Sequence, residues 1–225
     1  MEPQEILFGL GEHSSNEEIR EKAFDLIGRI RFIPSATVNR GRPECRILDY
    51  HRLEDGNLYF MTSRGKPTFR QLRENPELTL NTLVEERYSL RLSARAEETR
   101  DRGIWEAFFE RNPGTRLMYR KNLDIVALMT LARGEGELFH LYASERIRRV
   151  RFAFGGATTR PLSYAITEQC TGCGVCRENC VEEAIFRLAD GRYRIREVDC
   201  DDCGICYTRC PHRDRALICR LGPAL

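Results

Sequence analysis

The 225-residue sequence lacks an apolar run long enough to cross a bilayer. Its best run, 125–131, is broken by Thr130, where a spanning helix needs roughly 20 residues. It also lacks an excess of charge of one sign, with 36 Lys and Arg against 34 Asp and Glu. That balance removes the electrostatic case for a nucleic-acid binder or a polybasic membrane protein. The opening Met-Glu-Pro-Gln-Glu has neither the basic region nor the apolar stretch of a signal peptide. The expectation is a soluble, cytoplasmic protein with no nucleic-acid and no membrane partner. Lysine is scarce: Lys22, Lys66 and Lys121 are the only three among 36 basic residues. Histidine is scarce too, with His13, His51, His140 and His212 expected at the surface or packed rather than as ligands.

Cysteine is what the chain has in excess. Eight of its ten cysteines fall between Cys170 and Cys210, and only Cys45 and Cys219 lie outside. A disulfide scaffold belongs to short exported chains, whereas clustered thiols in a reducing compartment bind metal. The segments 170–180 and 200–210 each read C-x2-C-x2-C-x3-C, and the second is the first displaced by 30 positions. Zinc ribbons space two C-x2-C pairs widely for each site, so this run of three evenly spaced cysteines and a fourth fits iron–sulfur chemistry better. The pattern resembles the bacterial ferredoxin type with two [4Fe–4S] clusters. The resemblance implies that Cys170, Cys173, Cys176 and Cys210 hold one cluster and Cys200, Cys203, Cys206 and Cys180 the other. Gly172, Gly174 and Gly204 allow the backbone to come close to sulfur. Pro211 follows Cys210 as in that family, while Val181 stands where the first run would have its proline. Between the runs, 184–188 and 193–198 flank Asp190-Gly191 and predict a β-hairpin. Cys45 and Cys219 are expected as small buried hydrophobes on strands.

Residues 1–155 have a different texture. Ser15 to Glu18 forms a capping box, and Ile19, Ala23, Phe24, Leu26, Ile27 and Ile30 follow at helical spacing. Strands are predicted over 35–38, 45–53, 57–63, 78–84, 88–98, 124–131 and 137–142, and helices over 68–74 and 104–111. Successive antiparallel strands with few helices argue for a small β-barrel. The order runs Ala-Thr-Val-Asn-Arg-Gly-Arg-Pro-Glu-Cys-Arg-Ile-Leu-Asp-Tyr, then a strand ending Thr62-Ser63, then Lys66 and an amphipathic helix closed by Asn-Pro. It resembles the FMN-binding split-barrel family that includes the pyridoxamine 5′-phosphate oxidases. The resemblance implies that Arg46, Lys66, Thr62 and Ser63 hold the FMN phosphate, which suits a guanidinium fork, a point charge and hydroxyl donors. It also implies that backbone groups of Ile47 and Leu48 meet the flavin edge, that Ser89 lies near the ring, and that the flavin sits at a homodimer interface. Gln71 is read as a solvated residue or a site neighbour, and Tyr50, Tyr59 and Tyr88 as strand residues able to serve as proton donors.

The expected fold class is mainly β plus α+β: a split β-barrel domain over 1–155, a linker over 156–163, and a small ferredoxin-like domain over 164–225. Before Ile166 there are 27 basic and 24 acidic residues, and from Ile166 on there are 9 and 10. An acidic cluster domain and a mildly basic barrel form a favourable docking pair. Arg146, Arg148, Arg149 and Arg151 are read as an anion site, as decoration of a barrel strand or as a docking patch. A second phosphate site for pyridoxamine phosphate oxidation is not evident. The leading functional expectation is a flavin-dependent oxidoreductase that passes electrons between two [4Fe–4S] clusters and FMN and reduces a small organic acceptor, with an external electron donor. The alternatives are an electron carrier or redox sensor without catalysis, and a barrel that holds a deazaflavin or haem.

Overall fold

The computed structural model describes residues 9–142 and 148–221, and these divide into two compact units. One gathers Ser14–Leu138 and Arg151–Thr159; the other gathers the described residues before Ser14, from Phe139 to Val150, and from Arg160 onward. The described residues 139–142 and 148–150, assigned to the barrel domain on sequence grounds, group with the cysteine-bearing unit. So do Leu162, which is buried, and Ser163, whose backbone N–H and hydroxyl both bond the Asp202 carboxylate.

The barrel unit begins with α1 (Asn16–Ile30), and its capping box forms completely: Glu18 N–H donates to Ser15 Oγ at 3.2 Å and Ser15 N–H donates to the Glu18 carboxylate at 2.7 Å. The buried stripe Ile19, Ala23, Phe24, Leu26 and Ile27 packs inward, with Phe24 edge-on to Phe152 and Phe154. Then come β1 (Phe32–Asn39), β2 (Arg42–Arg52), β3 (Leu58–Ser63), α2 (Pro67–Glu74), β4 (Glu77–Val84) and β5 (Tyr88–Thr99). They are followed by α3 (Arg102–Arg111), α4 (Pro113–Tyr119), a 3-10 turn (Leu123–Ile125), β6 (Val126–His140) and β7 (Arg149–Phe154). The strand order is β3-β2-β1-β4-β5-β6-β7, and a further β3–β6 pairing closes six strands into a barrel with β7 outside the ring. Leu80, Leu90, Leu92, Tyr50, Phe60 and Met129 fill the interior from alternate positions on their strands.

Two expectations change here. The strands predicted over 124–131 and 137–142 are one strand, β6, that runs through Arg133-Gly134-Glu135-Gly136. Those glycines look like a turn, but each marks a close approach. A Cβ on Gly134 would lie 2.4 Å from the Ser93 carbonyl oxygen, and one on Gly136 would lie 2.5 Å from the Phe152 ring. The helix α4, capped by Pro113 at its first position, is not evident in the sequence pattern because none of its residues is buried.

The barrel is split between β2 and β3. β3 pairs with β2 only at Tyr50–Arg52, whereas it pairs with β6 from Tyr59 to Ser63. Tyr50 N–H donates to the Arg31 carbonyl, which sets the alternation of the β1–β2 ladder. Odd-numbered residues of β2 then turn their backbone groups away from β1, toward the side β3 has left.

The second unit carries β8 (Tyr164–Ile166), α5 (Val175–Glu178), β9 (Ile185–Arg187), β10 (Tyr193–Ile195), α6 (Ile205–Arg209) and β11 (Leu217–Cys219). β8 pairs antiparallel with β11, and β9 with β10 in the predicted hairpin, where Gly191 takes φ 88° beside Asp190. α5 and α6 start 30 residues apart, each from a left-handed glycine, Gly174 and Gly204, so the sequence repeat is also a structural one.

Candidate functional site

In the cysteine-bearing unit each run delivers one buried thiol, Cys176 or Cys206, at the first turn of α5 or α6, with the other thiols half-buried or exposed. Burial pushes Cys176 up to about 11, and its charged neighbours are Cys170, Cys173 and Cys210. Burial likewise pushes Cys206 up to about 12, with Cys200 and Cys203 as neighbours. Cys203 is raised by burial, with Asp201 and Cys180 adding to it. Cys206 also neighbours Cys176 of the first run, and Cys180, Cys200, Cys203 and Cys206 line one small cavity. Backbone N–H groups of Arg177, Ile205 and Tyr207 act on Cys176, Cys203 and Cys206, and Asp202 N–H bonds Cys200 Sγ at 3.3 Å. Clustered thiols with amide donors aimed at sulfur are the chemistry an iron–sulfur cluster requires, because metal must displace the thiol protons. Among the described residues no three His, Cys, Asp or Glu side chains converge on a single ion. One zinc ion would need its thiolates about 3.8 Å apart, by its tetrahedral bond lengths.

Two glycines let the loops close. A Cβ on Gly172, at φ 72°, would lie 2.6 Å from the Gly191 carbonyl oxygen, and one on Gly204, at φ 78°, 2.5 Å from the Tyr164 hydroxyl. Cys219 is half-buried on β11 and Cys45 is exposed on β2, so the expectation of buried hydrophobes fails for Cys45: its strand position faces outward.

In the barrel unit, Arg46 lies on β2 within a closed ring of hydrogen bonds. Its guanidinium donates to Thr37 Oγ1 at 2.6 Å and to Glu44 Oε2 at 2.9 Å. Thr37 donates to Gln71 Oε1 at 2.7 Å, and Gln71 Nε2 returns to Glu44 Oε2 at 2.7 Å. Hydrogen bonds from Asn39 and Gln71, helped by the charge of Arg46, hold the Glu44 carboxyl below its ordinary range. Gln71 is buried, not solvated. The ring borders a cleft of about 300 Å³ where Asn39, Glu44 and Gln71 face Arg70 and Glu74.

Thr62 and Ser63 are buried at the end of β3. Ser63 Oγ accepts from Gly65 N–H, the Ser63 carbonyl accepts from Lys66 N–H at 2.9 Å, and exposed Lys66 begins α2 ahead of Pro67. Of the predicted flavin-edge residues, Ile47 turns its backbone groups to the open side of β2, whereas those of Leu48 lie in the ladder opposite Ile33. Ser89 donates to Asn81 Oδ1 at 2.9 Å. Tyr50 and Tyr59 are engaged, Tyr50 with Ser35 Oγ and Tyr59 as donor to Asp55, and burial raises both well above the usual tyrosine range. Tyr88 is buried. The Thr37, Asn39 and Glu44 contributions were missed by sequence reasoning; only Glu44, two residues before Arg46 on one strand face, carries a local signal.

Of the arginine run, Arg146 lies outside the described residues. Arg151 pairs with Glu137 at 3.2 Å in the barrel unit. Arg148 and Arg149 are 6% and 4% exposed within the cysteine-bearing unit, so they are neither a barrel-surface decoration nor an exposed anion site.

These features define a split barrel joined to a cysteine-repeat domain. Residues 19–128 match the sequence profile of the pyridoxamine 5′-phosphate oxidase family, and residues 158–215 that of the 4Fe–4S dicluster domain. The chain combines a pyridoxamine 5′-phosphate oxidase-like split-barrel domain with a 4Fe–4S dicluster ferredoxin domain. No curated protein matches the sequence. Among solved structures, a NimC/NimA family protein from Clostridium acetobutylicum superposes at a TM-score of 0.53 and 20% identity, covering 61% of this chain and 98% of its own. A protein from the same organism, related to general stress protein 26, gives 0.44 at 16% identity, covering 62% and 96%. The general stress protein 26 of Bacillus anthracis gives 0.42 at 14%, covering 54% and 92%. The first of these shows the barrel fold. Among the described residues no helix is long and apolar enough to cross a membrane.

Proposed function

We propose that the protein is an oxidoreductase in which two [4Fe–4S] clusters exchange electrons with an FMN held on the split barrel, and that a small organic molecule accepts them. The observation that carries this reading is the joining, in one chain, of a dicluster domain to a pyridoxamine 5′-phosphate oxidase-like barrel in which β3 parts from β2 beyond Tyr50. Clusters move single electrons, and a flavin converts them to the pairs that organic acceptors take. Cys170, Cys173, Cys176 and Cys210 would ligate one cluster and Cys180, Cys200, Cys203 and Cys206 the other. Arg46 is presented by a ring that fixes its guanidinium, so a dianionic phosphate meets a positioned donor. Lys66, at the start of α2, adds positive charge beside Ser63. Ile47 offers backbone N–H and C=O groups to a ring edge.

A homodimer belongs to this reading. The outer face of the barrel carries Phe32, Ile47 and Leu83 at 61%, 58% and 54% exposure, with Pro34 opposite Ile47. That is the kind of patch an associating surface covers.

The test is anaerobic purification with iron, sulfide and flavin analysis, followed by dithionite reduction and a screen of reoxidising acceptors. The expected holoprotein carries FMN and about eight irons per chain, as two four-iron clusters require. Tightly bound zinc without a visible chromophore overturns it. Clusters and flavin that reoxidise with protein partners but with no small acceptor favour the carrier reading.

A further inference from the structure

His51 is 7% exposed on β2 and has no part in the cofactor sites proposed above. Each of its ring nitrogens meets a polar side chain. Asn112 Nδ2 lies 3.3 Å from Nδ1 and also donates to the Phe108 carbonyl at 2.8 Å. On the other side, Nε2 lies 3.1 Å from Asp49 Oδ2 and 3.1 Å from Arg31 Nη2. Arg31 grips the same carboxylate through Nε, at 2.9 Å, and through Nη2, at 2.7 Å. The Phe108 ring stands edge-on to the imidazole at 5.0 Å.

These partners fix the tautomer. A carbonyl only accepts, so Asn112 turns its amide nitrogen toward Phe108, and the second hydrogen of that nitrogen falls to Nδ1. Nδ1 is therefore the acceptor, and Nε2 carries the proton and donates to Asp49. A second ring proton would set N–H against N–H. Rotating the amide would bring Oδ1 to that proton but would set the same oxygen against the Phe108 carbonyl. One of the two hydrogen bonds is lost either way. An imidazolium would also lack a counter-charge of its own, because Asp49 is matched by Arg31 and Arg111 of α3 adds a second positive charge. Burial first, then those two arginines, outweigh the pull of Asp49 and hold the His51 pKa below its ordinary value.

Asn112 sits where the chain turns from α3 into α4, as the C-cap of the first helix and the residue before Pro113 of the second. No residue of α4 is buried. Its Tyr119 packs at the edge of the apolar cluster that Phe108 and Phe109 form with Tyr59, Val126 and Leu128. We propose that protonation of His51 unlocks the α3–α4 corner from β2, so that the outer face of the barrel carries a pH-sensitive latch. At neutral pH the ring accepts from Asn112 and the corner is closed. Below the ordinary histidine range the ring takes a second proton from solvent and gives up Asn112, and the corner lifts from the strands beneath it. The latch needs no cofactor, so it stands or falls apart from the oxidoreductase reading.

The test is amide hydrogen exchange of the full chain, read by mass spectrometry at about pH 7.5 and about pH 5.5, either side of the ordinary histidine value of about 6.5. Each rate is divided by that of an unstructured peptide at the same pH. Amides of α3 and α4 should exchange ahead of those of β4 and β5 at both pH values, as a local opening requires. They should also gain at least about threefold at the lower pH, the factor that half a pKa unit between closed and open corner supplies. His51→Asn places an amide oxygen where Nδ1 stands, so it keeps the bond from Asn112 without titrating and should abolish the gain. Asn112→Ala should exchange fast in α3 and α4 at both pH values. Where Asn112→Ala does not fold, wild type against His51→Asn decides alone. Exchange of α3 and α4 only together with β4 and β5, or an equal gain in His51→Asn, overturns the proposal.

Discussion

At the residue scale, what was legible is what ligand chemistry confines to a short stretch of chain. Eight cysteines and their glycines could be read because a cluster dictates spacing between neighbours in sequence. The ring around Arg46 could not, since Thr37, Glu44 and Gln71 come from β1, β2 and α2 and meet only through strand pairing. Lys66→Ala is expected to reduce flavin retention several-fold while leaving iron content intact; unchanged flavin after gel filtration would refute its phosphate role. Gly204→Ala should lose iron, because the new methyl meets the Tyr164 hydroxyl and ring and the backbone at φ 78° disfavours it. Iron analysis of the purified variant checks this. His51 gives a pH prediction. It is buried against Phe108, within 3.1 Å of Asp49 and of Arg31, and burial is the largest influence, lowering its pKa. A histidine kept neutral by folding stabilises above its unfolded value of about 6.5 and loses that contribution as pH falls through its lower folded value. The unfolding midpoint, followed by the single tryptophan Trp105 of the barrel, should therefore fall as the pH is taken below about 6.5, and His51→Asn should flatten the dependence.

At the element scale, most strands and α1 follow from alternation and capping, which are local. β6 was misread because glycine serves both turns and close approaches, and only the neighbouring strand distinguishes them. Gly134→Ala should destabilise the barrel by about 1–3 kcal/mol through overpacking against Ser93 and Ala94. Urea unfolding monitored by Trp105 measures it. The end of β1–β4 pairing at Ser35 has a similar local cause: Pro34, the next residue, has no N–H to donate.

At the scale of the whole molecule, composition suggested balance, and the balance is the sum of two modules of different chemistry. The dicluster module was legible as a domain, while the described residues 139–142 and 148–150, read with the barrel, group with the cysteine-bearing unit, because Arg148 and Arg149 look like surface charge until burial is known. Ile47→Asp places charge in the centre of the exposed apolar face and should halve the mass measured by sedimentation, with wild type sedimenting as a dimer. The parting of β3 from β2 has one more consequence. From Arg42 to Asp49 the strand shows a row of main-chain donors and acceptors with Ile47 exposed beside them, a template onto which a stray strand from another molecule can add. Whatever caps that border also shields the chain from its own copies. Protein stripped of cofactor should accordingly form light-scattering aggregates on mild warming sooner than the loaded form, and adding FMN back should delay them.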